Sequence, residues 1–146
     1  MSISDILSEE EILLEWKPDN KRGLLAMIAS YIAEKYNLDK SMIFEAILER
    51  ENLGSTGYGH GVAFPHTRVS GLQDVITMLI RLDQPIDYDA ADGKPVDIIA
   101  FLISPENRGD DHLRVLSAFS RCLNDDEVCR QIREAKTAHG VYTAML

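Results

Sequence analysis

The spacing of apolar positions changes several times along the chain, and each change predicts a different element. Ile12, Leu13, Leu14 and Trp16 form a short apolar run that Lys17-Pro18-Asp19-Asn20 stops with turn residues, which predicts a brief strand. From Lys21 the interval becomes three and four. Leu24, Leu25, Ile28, Tyr31, Ile32 and Tyr36 make one stripe of an amphipathic helix ending near Asn37. Asp39 is placed to cap a second helix that reaches about Asn52, with Ile43, Ile47 and Leu48 inward and Glu45, Glu49 and Glu51 outward. The two helices are expected to pack as a hairpin.

Four glycines then fall within Gly54-Ser55-Thr56-Gly57-Tyr58-Gly59-His60-Gly61, which cannot continue a helix and must be an ordered turn or loop. Val62-Ala63-Phe64 resumes a short strand that Pro65 ends. Val75 to Leu82 and Val96 to Ile103 are rich in branched apolar residues, and the second is nearly unbroken, as in a strand covered on both faces. The stretch from Pro85 to Pro95 reads as a turn-rich acidic connection. A third helix is expected from a cap at Asp110, carrying Leu113, Val115, Leu116, Phe119 and Leu123. Asn124 and Glu127 have capping-box spacing for a fourth to about Ala135, and a weaker one is expected from Thr137 to Met145. Helices precede, interrupt and follow the strands. The fold class is therefore α/β, with helices packed against a small mixed sheet.

Composition narrows the function classes. A chain of 146 residues, 45% hydrophobic, is expected to form one domain over 1–146. Its longest apolar run, Ile98 to Ile103, is far shorter than the roughly 20 residues of a membrane span. The N-terminus has no basic segment followed by an apolar one, so no secretory signal is expected and the expected location is the cytoplasm. A net charge of −9 disfavours nucleic acid as a partner, because phosphate neutralisation needs Lys and Arg. The acid is concentrated in residues 1–20 and 72–111, which read as solvated faces. Cys122 and Cys129 lie seven apart in helical sequence and are expected to be buried free thiols.

Motifs for common chemistries are absent. No Gly-Lys-Ser/Thr follows the glycines, and Val62 stands where a dinucleotide fingerprint needs its third glycine. There is no Gly-x-Ser-x-Gly elbow. No cofactor is expected. Three histidines, His60, His66 and His112, lie in loops or at element boundaries, whereas His139 reads as a surface residue. A zinc site from His60, His66, His112 and Asp111 matches no compact ligand spacing, so no metal is expected.

The unbroken stretch Leu48-Glu49-Arg50-Glu51-Asn52-Leu53-Gly54-Ser55-Thr56-Gly57-Tyr58-Gly59-His60-Gly61-Val62-Ala63-Phe64-Pro65-His66 resembles the active-site segment of phosphotransferase-system enzyme IIA domains of the mannitol/fructose type. Its Arg-Glu-x-x-Gly-Ser-Thr-Gly-x-Gly-x-Gly form is most similar to the nitrogen-regulatory enzyme IIA. The resemblance continues through Pro85-Ile86-Asp87-Tyr88-Asp89, Gly93-Lys94-Pro95-Val96-Asp97 and His112-Leu113-x-x-Leu116-Ser117, covering essentially the whole chain. It departs from the familiar forms at His60, where a small or amide residue is usual, and at Thr67-Arg68, where glycine and lysine are often found.

That resemblance implies that His66 accepts a phosphoryl group on one ring nitrogen, the tele position, from an HPr-like phosphocarrier protein (NPr). It implies that Arg50 and His112 stabilise the phosphate, and that Ser55, Thr56, Gly57, Gly59 and Gly61 bind it. The residue types suit the task. Phosphoryl transfer has a loose transition state and asks mainly for a positioned neutral imidazole and fixed donors. Glycines let backbone N–H groups turn toward an anion, Arg50 offers a planar fork, and His112 lies near a positive helix end. Without the motif, Arg50 would read as a surface ion pair with Glu49 or Glu45. The implied function is a phosphohistidine carrier whose phosphorylation state regulates targets such as potassium transporters, sensor kinases or stringent-response enzymes. Two other readings stay open: a sugar-specific enzyme IIA passing phosphate to a IIB domain, and a non-catalytic binding module.

Overall fold

The computed structural model describes residues 1–146. A one-turn helix α1 (Ile3–Ile6) and a 3-10 turn (Glu9–Glu11) precede β1 (Ile12–Trp16), α2 (Lys21–Tyr36) and α3 (Lys40–Asn52). Four strands come next, the first of them within the glycine-rich stretch: β2 (Gly57–Gly59), β3 (Val62–Ala63), β4 (His66–Val69) and β5 (Ile76–Ile86). Strand β6 (Val96–Pro105) leads into α4 (Gly109–Leu123), α5 (Asp126–Glu134) and α6 (Ala138–Met145).

The six strands form one mixed sheet in the order β1-β5-β6-β3-β2, with β4 also paired to β6. Strands β5 and β6 are antiparallel, whereas β1 runs parallel to β5 and both β3 and β4 run parallel to β6. The register along β6 is continuous across the gap between β3 and β4. Val62 faces Ile98, Ala63 faces Ile99, His66 faces Leu102 and Val69 faces Pro105, the same offset throughout. Strands β3 and β4 are thus one strand interrupted at Phe64-Pro65.

Alternation along β6 explains its nearly unbroken apolar sequence. Ile99, Phe101 and Ile103 enter one core with Leu24, Ile28, Ile32, Ile43 and Ile47 of the α2–α3 hairpin. Ile98, Ala100 and Leu102 enter a second core with Val115, Phe119, Cys129, Ile132 and Val141 of α4 to α6. Helices α2, α3 and α6 start where side chains satisfy their free N–H groups. Asn20 accepts from the Gly23 amide at 2.7 Å, Asp39 from Met42 at 3.2 Å and Thr137 from Gly140 at 3.0 Å.

Several boundaries differ from the sequence reading. Strand β5 continues through Pro85 to Ile86, with a register shift after Arg81 where the proline's missing N–H costs no ladder bond, so the expected Pro85–Pro95 connection begins later. Asp125, not Asn124, caps α5, accepting from the Glu127 amide at 2.9 Å. Helix α4 begins at Gly109 with Arg108 in the cap position, so Asp110 lies inside its first turn. The glycine stretch is a β-hairpin whose turn, His60-Gly61, has φ of 57° and 80°. His66 opens a strand and does not merely follow the end of one. Glu51, expected outward, is only 6% exposed. Cys122 and Cys129 are free thiols, the first half-buried and the second buried.

Candidate active site

His66 is half-buried at the start of β4, and its Nδ1 lies 2.7 Å from the Phe64 carbonyl oxygen. A carbonyl oxygen only accepts, so Nδ1 carries the proton and Nε2 of the neutral ring is left with its lone pair. Burial pushes the His66 pKa below 6.5, the charges of Arg50 and Arg68 act in the same direction, and the Phe64 bond opposes them. Burial and the two charges favour the neutral ring, with Nε2 free of any hydrogen bond to the protein.

His112 lies beside it, with ring centroids 5.3 Å apart and planes tilted by 59°. It occupies the first turn of α4, is 4% exposed, and its Nδ1 is 2.5 Å from the Ser104 hydroxyl of β6. Burial, followed by the charges of Arg68 and His66, pulls its pKa to about 4. Any donation from His112 therefore comes from a neutral imidazole N–H.

Arg50 lies in the last turn of α3, and its Nη1 donates to the Gly54 carbonyl at 3.0 Å. It forms no ion pair with Glu45 or Glu49. Arg50 and His66 together line two adjoining open cavities. One, of about 480 Å³, also holds His112, Arg68, Glu49 and Glu106, with Leu53, Leu113 and Leu116 at its apolar side. The other, of about 380 Å³, is bounded by Ser55, Thr56, Gly57, Tyr58 and Phe64.

The residues singled out from the sequence separate into two groups. His66, Arg50, His112, Ser55, Thr56 and Gly57 converge on these cavities. Gly59 and Gly61 stand apart, at the hairpin turn. A Cβ on Gly59 would meet the Asp92 carboxylate at 3.4 Å, and one on Gly61 would run into the Arg133 guanidinium and meet Asp97 at 3.1 Å. Their surroundings hold carboxylates and a hairpin ladder, whereas Gly57 is where backbones come together, since its Cβ would lie 2.7 Å from the Ala90 Cα. His60 is exposed at the same turn, and His139 is exposed beside Glu9 at 3.0 Å. No group of three or more His, Cys, Asp or Glu side chains is arranged to hold a metal ion.

Sequence reasoning missed the polar cluster beneath the loop. Glu51 accepts from the Thr56 amide at 3.2 Å, from the Thr56 hydroxyl, and from the Tyr88 hydroxyl at 3.0 Å. Lys21 pairs at 3.0 Å with Oε2, the oxygen that also takes the Thr56 amide, while the two hydroxyls share Oε1. Ser55 donates to the Tyr88 carbonyl at 2.9 Å and accepts from the Gly57 amide at 3.0 Å. The 55–57 segment is thereby tied to α2, α3 and the 88–90 chain at once. A signal was present: Ile43, Ile47 and Glu51 are spaced by four and share the buried face of α3.

Residues 5–146 match the family model described as phosphoenolpyruvate-dependent sugar phosphotransferase system, EIIA 2. The chain is 36% identical over 145 residues to a nitrogen regulatory protein of Bradyrhizobium diazoefficiens, covering 99% of this chain and 95% of that protein. It is 38% identical over 141 residues to a nitrogen regulatory protein of Pseudomonas aeruginosa, covering 96% and 92%. The crystal structure of nitrogen regulatory protein IIA-Ntr from Neisseria meningitidis superposes with a TM-score of 0.91 at 33% identity, covering 99% of both chains.

Proposed function

The chain belongs to the EIIA 2 family of the phosphoenolpyruvate-dependent sugar phosphotransferase system, and from that premise we propose that His66 is its phosphoryl acceptor, charged by an HPr-like carrier of the nitrogen branch (NPr). The observation that carries this reading is the Nδ1 bond to the Phe64 carbonyl, which leaves Nε2 as the lone-pair nitrogen beside cavities shared with Arg50 and His112. The Nε2 lone pair attacks phosphorus while the donor's N–P bond breaks and its electron pair returns to the donor ring nitrogen. The proton stays on Nδ1, hydrogen-bonded to the Phe64 carbonyl, throughout, so no base is needed. The adduct is a tele-phosphohistidine.

Arg50 supplies donors for the phosphoryl oxygens, with Nη1 anchored on the Gly54 carbonyl and Nε and Nη2 left to form the fork. Ser104 donates its hydroxyl proton to Nδ1 of His112, so that Nε2–H of the neutral ring points its donor at the transferring group. Ser55, Thr56 and Gly57 line the side of the site held by the Glu51 cluster, and Gly59 and Gly61 act at one remove by shaping the hairpin that delivers them. The protein's output is its phosphorylation state, read by regulatory targets such as potassium transporters, sensor kinases or stringent-response enzymes.

Incubation with phosphoenolpyruvate, enzyme I and the carrier is expected to add the mass of one phosphoryl group in an acid-labile linkage. His66→Ala is expected to remain folded and gain nothing. An adduct that survives acid, or one that forms on His66→Ala at the wild-type rate, moves the acceptor elsewhere. A sugar-specific role is distinguished by efficient onward transfer to a IIB domain, and a binding module by no mass gain at all.

A further inference from the structure

Arg68 has no part in the machinery described so far. It follows His66 by two positions on β4, so the two side chains leave the same face of the strand. Val69, on the opposite face, packs into the core beneath α2 and α3. The Arg68 guanidinium lies over the first turn of α4, where a Cβ built on Gly109 would come within 4.0 Å of it. The same turn carries His112, and Arg68 lines one cavity with His112, His66 and Arg50.

The charges around that position are mixed. The N-terminal end of a 15-residue helix carries partial positive charge, and Arg108 occupies its cap. The carboxylates facing this region are Glu49 and Glu106 in the cavity and Asp110 and Asp111 in the helix turn. Asp111 is taken by Arg108 at 3.4 Å. Arg68 forms no ion pair within 4.0 Å and donates no side-chain hydrogen bond. An exposed guanidinium without a protein acceptor, beside a helix N-terminus and two imidazoles, has its donors available to an anion with several oxygens.

We propose that Arg68 binds the phosphoryl group once it is on His66, and so sets how strongly the chain retains phosphate against return to the carrier. The inference rests on His66 being the acceptor. Arg50 then holds the group from the α3 side and Arg68 from the α4 side. Arg68 exchanges no proton and breaks no bond; it adds N–H contacts to the oxygens of the newly formed Nε2–PO₃ unit.

Wild type, Arg68→Gln and Arg68→Lys are loaded on His66 with phosphoramidate, a donor with a P–N bond and no protein surface. The phosphoryl ionisation is then followed by ³¹P NMR against pH. A contacting guanidinium favours the dianion, so Arg68→Gln is expected to raise the phosphoryl pKa by about half a unit, with Arg68→Lys between. With the carrier as partner, the equilibrium ratio of phosphorylated chain to phosphorylated carrier is expected to fall about fivefold in Arg68→Gln, the modest size reflecting solvent screening at an exposed site. Added salt is expected to shrink that difference. An unchanged titration curve overturns the inference even if carrier rates slow, because Arg68 then serves docking alone. Failure of wild type to form the His66 adduct with either donor overturns the carrier reading itself, a result visible before any variant is made. Because Arg68 is exposed, the variants are expected to match wild type in thermal melts; if Arg68→Gln does not, the Arg68→Lys titration decides.

Discussion

If His66 is the acceptor, as proposed, the Phe64 carbonyl bonded to Nδ1–H leaves one event for the acid limb of its phosphorylation to report, protonation of Nε2. The pKa is lowered from 6.5, so at any given pH more of the ring is neutral than in a free imidazole, and the neutral fraction falls as the pH drops through the lowered value. NMR titration of the ring protons is expected to give a midpoint below 6.5; a midpoint above it would mean that burial does not dominate. His112 bears on stability. Its folded pKa of about 4 lies below the unfolded value, so the unfolded chain binds more protons between pH 4 and 6.5 and stability rises with pH across that window. The His112 contribution is fully present above pH 6.5 and is lost as pH falls toward 4, amounting to roughly 3 kcal/mol at its limit. Denaturant unfolding of His112→Gln against pH is expected to be flatter than wild type over that range. Arg50→Lys keeps the charge and loses the fork, so transfer is expected to slow about tenfold with the melting temperature unchanged, measured by quench-flow.

At the level of elements, the segment that closes the site is held by the Glu51 cluster, and its removal is expected to reach both fold and rate. Glu51→Gln leaves Lys21 facing an amide and removes a charged acceptor from Thr56 and Tyr88, at a cost of about 2 kcal/mol by chemical denaturation. Gly57→Ala drives a methyl into Ala90 and is expected to destabilise by about 1–3 kcal/mol. Elements with long apolar periods were readable from sequence: α2, α3, β1 and β6 fall within a residue or two of their expected bounds. Strand β4 was not, because His-Thr-Arg-Val shows one buried apolar residue and follows a proline that reads as a stop. Its strand character comes from β6, far along the chain. Glu51 was misread because a carboxylate on a helix defaults to solvent, and its partners Lys21, Thr56 and Tyr88 are brought in only by tertiary structure. His66, His112 and Arg50 were singled out because they stood in recognisable runs of residues, and the fold brings them to one pair of cavities. Arg68 stood in the same neighbourhood, where only folding reveals that it shares a face with His66.

Across the whole molecule, the sheet separates two cores but β6 belongs to both, Phe101 on one side and Leu102 on the other. Phe101→Ala is expected to cost about 3–5 kcal/mol and Leu102→Ala about 2–5 kcal/mol. Each is expected to shift one shared calorimetric transition, because neither helical layer has a second sheet to lean on. Two separate transitions would show that the layers unfold independently. The continuous register of β3 and β4 along β6 also bears on how this chain can change over generations. Side chains alternate with period two, so removing or adding one residue between Ala63 and His66 turns the imidazole to the opposite face of the sheet, toward the α2–α3 core. The Ser70–Asp74 turn carries no such constraint, and lengthening it costs only a few tenths of a kcal/mol in loop entropy. In a deep insertion and deletion library selected for phosphorylation, survivors are expected to vary in length at 70–74 and to keep the count from 62 to 69 fixed. The lineage is free to lengthen that turn, while the spacing on which the reactive nitrogen depends admits replacement of residues but not a change in their number.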